Sequence, residues 1–313
     1  ETLSLSSAGA YLSALSDPSV LDVAAHHLYG PGSFDQPDGM ISAMRTHQAA
    51  HAVRPIFQTA YARLAGGDGF RGALNLARHI HNSLVENQVS AYIHWSLFWP
   101  HPTNGTEGYA LVHIDNPWKT AAPGFSVSPQ YYAFRQYSKF IDEGWHRVGA
   151  TSGMSAVRIS AFRSADTGRV AAVLIHDATS ALTGFALHVT GFTVKTGEIY
   201  RTRATENGVR VGSWMPGQSM TLPAESITTL VLERAPDSPT TPAGGSDPAT
   251  VRIRSIILTT VLKSGLRYGQ ARVALADAAD QPVAGVRVTG HFGGDFDEVL
   301  TNHSDSAGWA VLN

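Results

Sequence analysis

The sequence runs to 313 residues, 43% hydrophobic and 15% charged, with 30 Gly, 16 Pro and no Cys. That balance excludes a disordered chain and suggests two or three domains of roughly 150 residues or fewer, while the missing cysteines remove disulfides, thiolate metal sites and a cysteine nucleophile but not secretion. Lys plus Arg total 23 against 25 Asp plus Glu, so no basic excess exists to hold a phosphate backbone and nucleic acid is not an expected partner.

No apolar run approaches the roughly 18 residues of a membrane span. The chain opens Glu1-Thr2-Leu3 with neither a signal peptide nor an initiator methionine, and it closes at Gly308-Trp309-Ala310-Val311-Leu312-Asn313 inside what reads as a strand. Both ends read as cut. In chain order, the spacing predicts a helix over 7–15, a buried strand over 21–29 and a helix over 38–53 with Asp38 as its cap. A strand over 55–61 follows, then a long helix over 70–87 and an aromatic, β-branched strand over 89–99. The stretch 100–128 reads as loop, and 129–141 as a last helix. Alternating strands and helices imply parallel strands with helical crossovers. Three strands, with the tail of a fourth before Ser7, are too few for an eight-stranded barrel of about 250 residues.

From Trp145 the pattern changes to short alternating runs, 157–162, 170–176, 185–189, 199–200, 220–222 and 227–232, which read as an antiparallel β-sandwich. The segment 235–249 is rich in Pro, Gly, Ser and Thr and reads as an extended linker. Beyond it, 250–313 repeats the all-β pattern, with turns at Asp280-Gln281-Pro282 and Asp305-Ser306-Ala307-Gly308, and resembles an immunoglobulin-like accessory module lacking its last strand or strands.

In a parallel α/β barrel the reactive groups sit at the C-terminal ends of the strands. That rule selects His26, His27 and Tyr29, then Gln58, Thr59, Ala60 and Tyr61, then His94, Trp95, Phe98 and Trp99. The set is rich in aromatics and imidazoles and holds no carboxylate. Flat aromatic faces beside polar donors suit sugar rings; the plainer role for Trp95 or Phe98 alone is packing.

The order of motifs resembles glycoside hydrolase family 30. Ala24-Ala25-His26-His27-Leu28-Tyr29-Gly30 is similar to that family's sixth-strand motif, and Leu76-Ala77-Arg78-His79-Ile80-His81-Asn82-Ser83-Leu84-Val85-Glu86 to its seventh helix. Ala91-Tyr92-Ile93-His94-Trp95 resembles its eighth strand, and 132–148 its final helix and exit into a side β-domain. Leu222-Pro223-Ala224-Glu225-Ser226-Ile227 is similar to the last strand of that side domain. The resemblance covers roughly residues 1–234. It implies an α/β + β architecture: the C-terminal half of a (β/α)8 TIM barrel over 1–143, a β-sandwich side domain over 144–234, the linker, and a truncated immunoglobulin-like module over 250–313.

It also implies an extracellular retaining endo-glycosidase acting on β-linked polysaccharide, with a polysaccharide or oligosaccharide as partner and no cofactor. The family's nucleophile is a glutamate in an aromatic-Gln/Met-Thr-Glu-Tyr motif, and here that motif reads Phe57-Gln58-Thr59-Ala60-Tyr61. Retaining hydrolysis needs two carboxylates about 5 Å apart, one attacking and one protonating the leaving oxygen, and a methyl group does neither. The family's acid/base lies at the end of a fourth strand, whereas this chain begins near the fifth. The chain alone is therefore expected to be inactive. Either the nucleophile is lost and a sugar-binding cleft remains, which is the favoured reading, or Asp115 or Glu107 serves instead, although a turn role suits Asp115 better. By the resemblance His27 and Tyr29 would hydrogen-bond the sugar, Trp95 would stack beneath it, Trp99 would line the cleft and Tyr61 would orient the nucleophile. Family xylanases that recognise glucuronic acid use a basic residue after the eighth strand. Phe98-Trp99-Pro100-His101-Pro102-Thr103-Asn104 has no arginine, which leaves unsubstituted xylan, β-1,6-galactan and β-1,6-glucan open.

Other patterns carry less. His47 and His51 sit four apart on a helix like zinc-protease ligands, but Gln48 replaces the glutamate base and no metal is expected. His79 and His81, two apart, cannot share one helix face, and His81 reads as a core histidine. Gly66-Gly67-Asp68-Gly69 lacks the lysine of a phosphate loop and reads as a turn.

Overall fold

The computed structural model describes residues 14–27, 35–51, 54–62, 69–100, 110–115, 124–235, 251–263, 266–292 and 298–312. The expected helix over 7–15 and the linker lie almost wholly outside them. The chain divides into two compact units, Glu1–Asp237 and Ser238–Asn313.

The first unit begins with β1 (Ala24–His27), a 3-10 turn (Pro37–Met40), α1 (Ile41–Ala50), β2 (Ile56–Ala60), α2 (Phe70–Val85) and β3 (Ala91–Tyr92). The three strands are parallel in the order β1-β2-β3, with Ala24 opposite Ile56, His27 opposite Ala60, and Phe57 opposite Ala91. Ala24, Ile56 and Val89 form a small core beneath α2 with Leu84 and Tyr92. The strand expected over 89–99 is cut to two residues. Its backbone goes on bonding to the end of β2 without regular pairing, Ile93 N to Gln58 O at 2.8 Å and Trp95 N to Tyr61 O at 2.9 Å.

The region expected to be loop holds a second small sheet. β4 (Phe98–Pro100) pairs parallel with β5 (Val112–Ile114), which pairs antiparallel with β6 (Phe125–Val127). Three-residue strands show no usable alternation, so the pattern hides them. α3 (Pro129–Ser138) starts on a conventional cap: Ser128 Oγ accepts from Tyr131 N at 3.4 Å, and Pro129 occupies the first turn.

A six-stranded antiparallel sheet follows, built from β7 (His146–Val148), β8 (Val157–Arg163), β9 (Arg169–His176), β11 (Val194–Arg203), β12 (Glu206–Trp214) and β14 (Ser226–Arg234), in the order β12-β11-β14-β9-β8-β7. β10 (Leu182–Ala186) and β13 (Ser219–Leu222) pair separately. Both faces of the large sheet are used. Val173 and Ile175 of β9, with Phe162 and Ile227, pack with Leu74, Ala77 and Ile80 of α2 and Ala133 and Tyr137 of α3. Val170, Ala172 and Leu174 face the other way, packing with Trp214, Leu222, Leu182 and Phe185. β9 therefore reads as one continuous apolar run. Burying each of its large aliphatic side chains stabilises by about 1.5–3 kcal/mol.

Polar contacts join the α-helical layer to this sheet. Arg158 of β8 donates to Asp38 Oδ2 and to Asp177 Oδ2, each at 2.6 Å, while Arg78 of α2 pairs with the same Asp38. Asn82 Nδ2 donates to Asp38 Oδ1 at 3.1 Å. Burial works to raise the Asp38 pKa, but these hydrogen bonds and the two guanidinium charges outweigh it and hold the carboxyl below its ordinary range. Arg135 of α3 donates to Gly208 O at 2.8 Å. Gly208 has φ +65°, and a Cβ there would lie 2.2 Å from Arg135 Nη1, so the position demands glycine.

In the second unit, β15 (Arg252–Lys263), β16 (Leu266–Ala276) and β19 (Trp309–Leu312) form one antiparallel sheet, and β17 (Arg287–Phe292) and β18 (Glu298–His303) a second. Val273, Leu275, Ala310 and Leu312 are buried there. Asp277 Oδ1 accepts from Ala279 N and Gln281 N to close one turn; Asp305 Oδ1 accepts from Ala307 N and Trp309 N to close the other.

Candidate functional site

Parallel pairing brings the C-terminal ends of β1, β2 and β3 to one edge of their sheet. There His27 lies opposite Ala60 across a bulge between His26 and His27. Thr59 Oγ1 donates to His26 O at 3.3 Å, tying the two strand ends. Ala60 is buried, and Tyr61 follows it, 2% exposed. The Tyr61 ring stacks on His79 of α2 at 3.6 Å and 16°. His79 Nδ1 in turn lies 2.9 Å from Tyr92 Oη on β3. Burial drives the His79 pKa well below its ordinary value, and His26 and His94 push the same way, so the ring is neutral. His79 of α2 thus meets the end of β2 through a ring stack and β3 through a hydrogen bond.

Trp95, whose N bonds to Tyr61 O at 2.9 Å, and Trp99 follow β3 in the chain. They are 50% and 39% exposed, with ring centroids 6.5 Å apart at 45°. Phe98 between them is also exposed. Tyr29 and Glu107 lie outside the described residues. Asp115 closes β5, where its N donates to Gly124 O at 2.8 Å. It belongs to the β4–β6 sheet and not to the one that carries Ala60. Tyr61, Ala62 and Ile93–Trp95, which continue β2 and β3, include no Asp or Glu. Such a surface can hold an apolar ring face and hydrogen-bond its edges, and among the described residues that continue these strands there is no carboxylate to attack an anomeric carbon.

Sequence reasoning did not find the layer below. His26, which β1 turns toward α1, meets His47 with ring centroids 4.7 Å apart, and His47 meets His51 at 4.4 Å. The i, i+4 spacing of His47 and His51 was the available signal, but it points to a metal; among the described residues no group of three or more His, Cys, Asp or Glu could hold one. His79 was seen only as a neighbour of His81, because its stacking partner Tyr61 is 18 residues upstream on another element.

The glucuronoxylanase XynC of Bacillus subtilis (strain 168) is 23% identical over 250 residues, which cover 72% of this chain and 51% of that protein. Among solved structures, a family 30 subfamily 8 xylanase, Xyn30A from Clostridium acetobutylicum, matches with TM-score 0.51 and 25% identity over 69% of this chain and 50% of the other. The chain is related to glycoside hydrolase family 30. A GH30 endoxylanase from Clostridium papyrosolvens shares the fold at TM-score 0.53 and 22% identity, covering 71% of this chain and 54% of that one. A conserved exported protein from Bacteroides fragilis does so at TM-score 0.55 and 18% identity. No family model matches the chain. The chain spans about half the length of the family 30 relatives it matches. No helix among the described residues is long and apolar enough to cross a membrane.

Proposed function

We propose that this chain is the C-terminal half of a (β/α)8 barrel with its side β-sandwich and an immunoglobulin-like module, taken from an extracellular retaining endo-glycosidase of β-linked polysaccharide. We further propose that the chain holds sugar without cleaving it. The observation that carries this reading is the strand-end site itself: three parallel strands bring His27, Ala60–Tyr61 and Trp95 to one edge, with alanine where the family's nucleophile stands. Supporting it are the kinship with family 30 and the half-exposed pair Trp95 and Trp99, whose faces suit the C–H face of a sugar ring. His27 and Tyr29 take the hydroxyl edge in this reading, Trp95 stacks beneath the ring, Trp99 lines the cleft, and Tyr61 stands where it would orient a nucleophile.

A second reading, a non-catalytic carbohydrate-binding protein descended from such an enzyme, is favoured by the same Ala60. The glycan class is unsubstituted xylan, β-1,6-galactan or β-1,6-glucan; the arginine-free run 98–104 argues against glucuronic acid recognition, although the relative XynC is a glucuronoxylanase. Calorimetric titration with xylo-, β-1,6-gluco- and β-1,6-galacto-oligosaccharides tests this reading. Binding of one series, weakened at least about 10-fold in Trp95→Ala as expected for a lost stacking face, supports it. Binding that survives Trp95→Ala and Trp99→Ala together overturns the site.

A further inference from the structure

α1 is attached to the sheet by very few side chains. Of its ten residues only Met44 and His47 are buried, and His51 at its C-terminal cap is the third contact. The three imidazoles His51, His47 and His26 form a continuous file from the cap of α1 to β1, ring to ring at 4.4 and 4.7 Å. His26 Nε2 is 3.4 Å from Asn87 Oδ1, and Asn87 Nδ2 donates to Met44 O at 3.3 Å. Nδ1 of each of the three rings has no hydrogen-bond partner among the described residues. The buried side chains that seat the helix are thus one methionine and a stack of imidazoles, with the Asn87–Met44 O bond beside them.

We propose that this file is an acid-triggered latch whose protonation releases α1 from β1. Neutral rings in contact attract one another, whereas adjacent imidazolium ions repel and lose their hydration in a buried site. The surrounding groups give the charge little relief. α1 adds Arg45, paired with Glu86 at 2.7 Å, and Arg54 follows it, donating to Leu21 O at 2.8 Å. β1 adds His27, β2 faces His26 with the uncharged Gln58, and α2 brings His79 and His81. The turn before α1 contributes Asp35 and Asp38, and Asp38 is already held by Arg78 and Arg158.

Burial lowers both His26 and His47 to about 4, and neighbouring imidazoles push the same way; burial also lowers His51. A histidine whose folded pKa lies below its unfolded value of about 6.5 stabilises fully above that value. The stabilisation is lost as pH falls from there toward the folded pKa. For a folded value near 4, the opening constant rises about 30-fold per histidine between pH 7.5 and 5. That window lies above the ordinary carboxylate range. Because Thr59 bonds His26 O and His27 is the next residue, release of α1 also loosens the strand-end site.

Hydrogen exchange of the whole chain, read by mass spectrometry and corrected for intrinsic rate, tests the latch. Protection over 41–51 should fall at least about 30-fold between pH 7.5 and 5, while 129–138 in α3 falls less. The triple variant His26→Gln, His47→Gln, His51→Gln, which removes every ring of the file, should lose that dependence. Met44→Ala, which loosens docking without removing a titrating group, should keep it at lower protection. Equal protection at the two pH values, an equal fall in α3, or a dependence that persists in the triple variant overturns the proposal. Should the triple variant not fold, the wild-type comparison of 41–51 with α3 decides alone.

Discussion

In the proposed reading, Ala60 occupies the position on which the chemistry turns. It sits opposite His27, is buried, and is followed by a tyrosine clamped against His79. Its side chain is a methyl group. That an alanine stands in the Phe57-Gln58-Thr59-Ala60-Tyr61 run is legible from the sequence alone. The clamp was not, since stacking of Tyr61 on His79 joins residues from a strand and a helix that no spacing rule links. Ala60→Glu in the full-length gene product should restore release of reducing sugar from β-linked glycan, by several orders of magnitude over the unmodified protein. An inert restored protein would place the loss of function elsewhere as well.

Among the elements, the long apolar ones were the easiest to read. β2, α2 and β9 lie within about two residues of their expected ends because each carries a continuous periodic signal. Edge and short elements were lost. β12 is absent from the sequence-based reading since Val209 and Val211 face solvent and Gly208 and Gly212 interrupt the run. β4, β5 and β6 are too short to alternate. The third strand was overextended because aromatic residues that continue it in sequence, Trp95 and Phe98, leave the sheet for the surface.

α3 illustrates how a modest helix is locked in place. Gln136 Nε2 donates to Thr202 Oγ1 at 2.7 Å, and Thr229 Oγ1 donates to Gln136 Oε1 at 2.6 Å, all three side chains being buried. Gln136→Ala removes both bonds and leaves a cavity, although Thr229 Oγ1 keeps Gln136 O at 2.9 Å and Thr202 Oγ1 keeps Tyr132 O at 3.4 Å; the lost bonds cost about 0.5–1.5 kcal/mol each, and the cavity adds to them. A urea melt should show a midpoint shift worth about 2–4 kcal/mol in total, with an unchanged slope. A shift below about 0.5 kcal/mol would mean that water satisfies both hydroxyls.

At the scale of the molecule, the α-helical layer and the six-stranded sheet behave as one body because they share both a core and charges. Phe162, Val173 and Ile175 interlock with α2 and α3, and Asp38, Arg78, Arg158 and Asp177 knit the rim of the same interface. The change from helix-strand alternation to all-β near Trp145 was visible in the sequence, but the clamp across it was not, since its four charges come from four separate elements. The three-stranded parallel sheet keeps β1 and β3 at its edges, and the chain spans about half of its family 30 relatives. A sugar-holding edge without its carboxylates is what these features amount to in the proposed reading.

The measurement that meets this account most directly is reducing-sugar release by the purified chain from xylan, β-1,6-glucan and β-1,6-galactan. The account predicts none above a boiled-protein blank on any of the three. Sustained release from even one, abolished by substitution of Asp115 or Glu107, would contradict it and give the chemistry to another carboxylate.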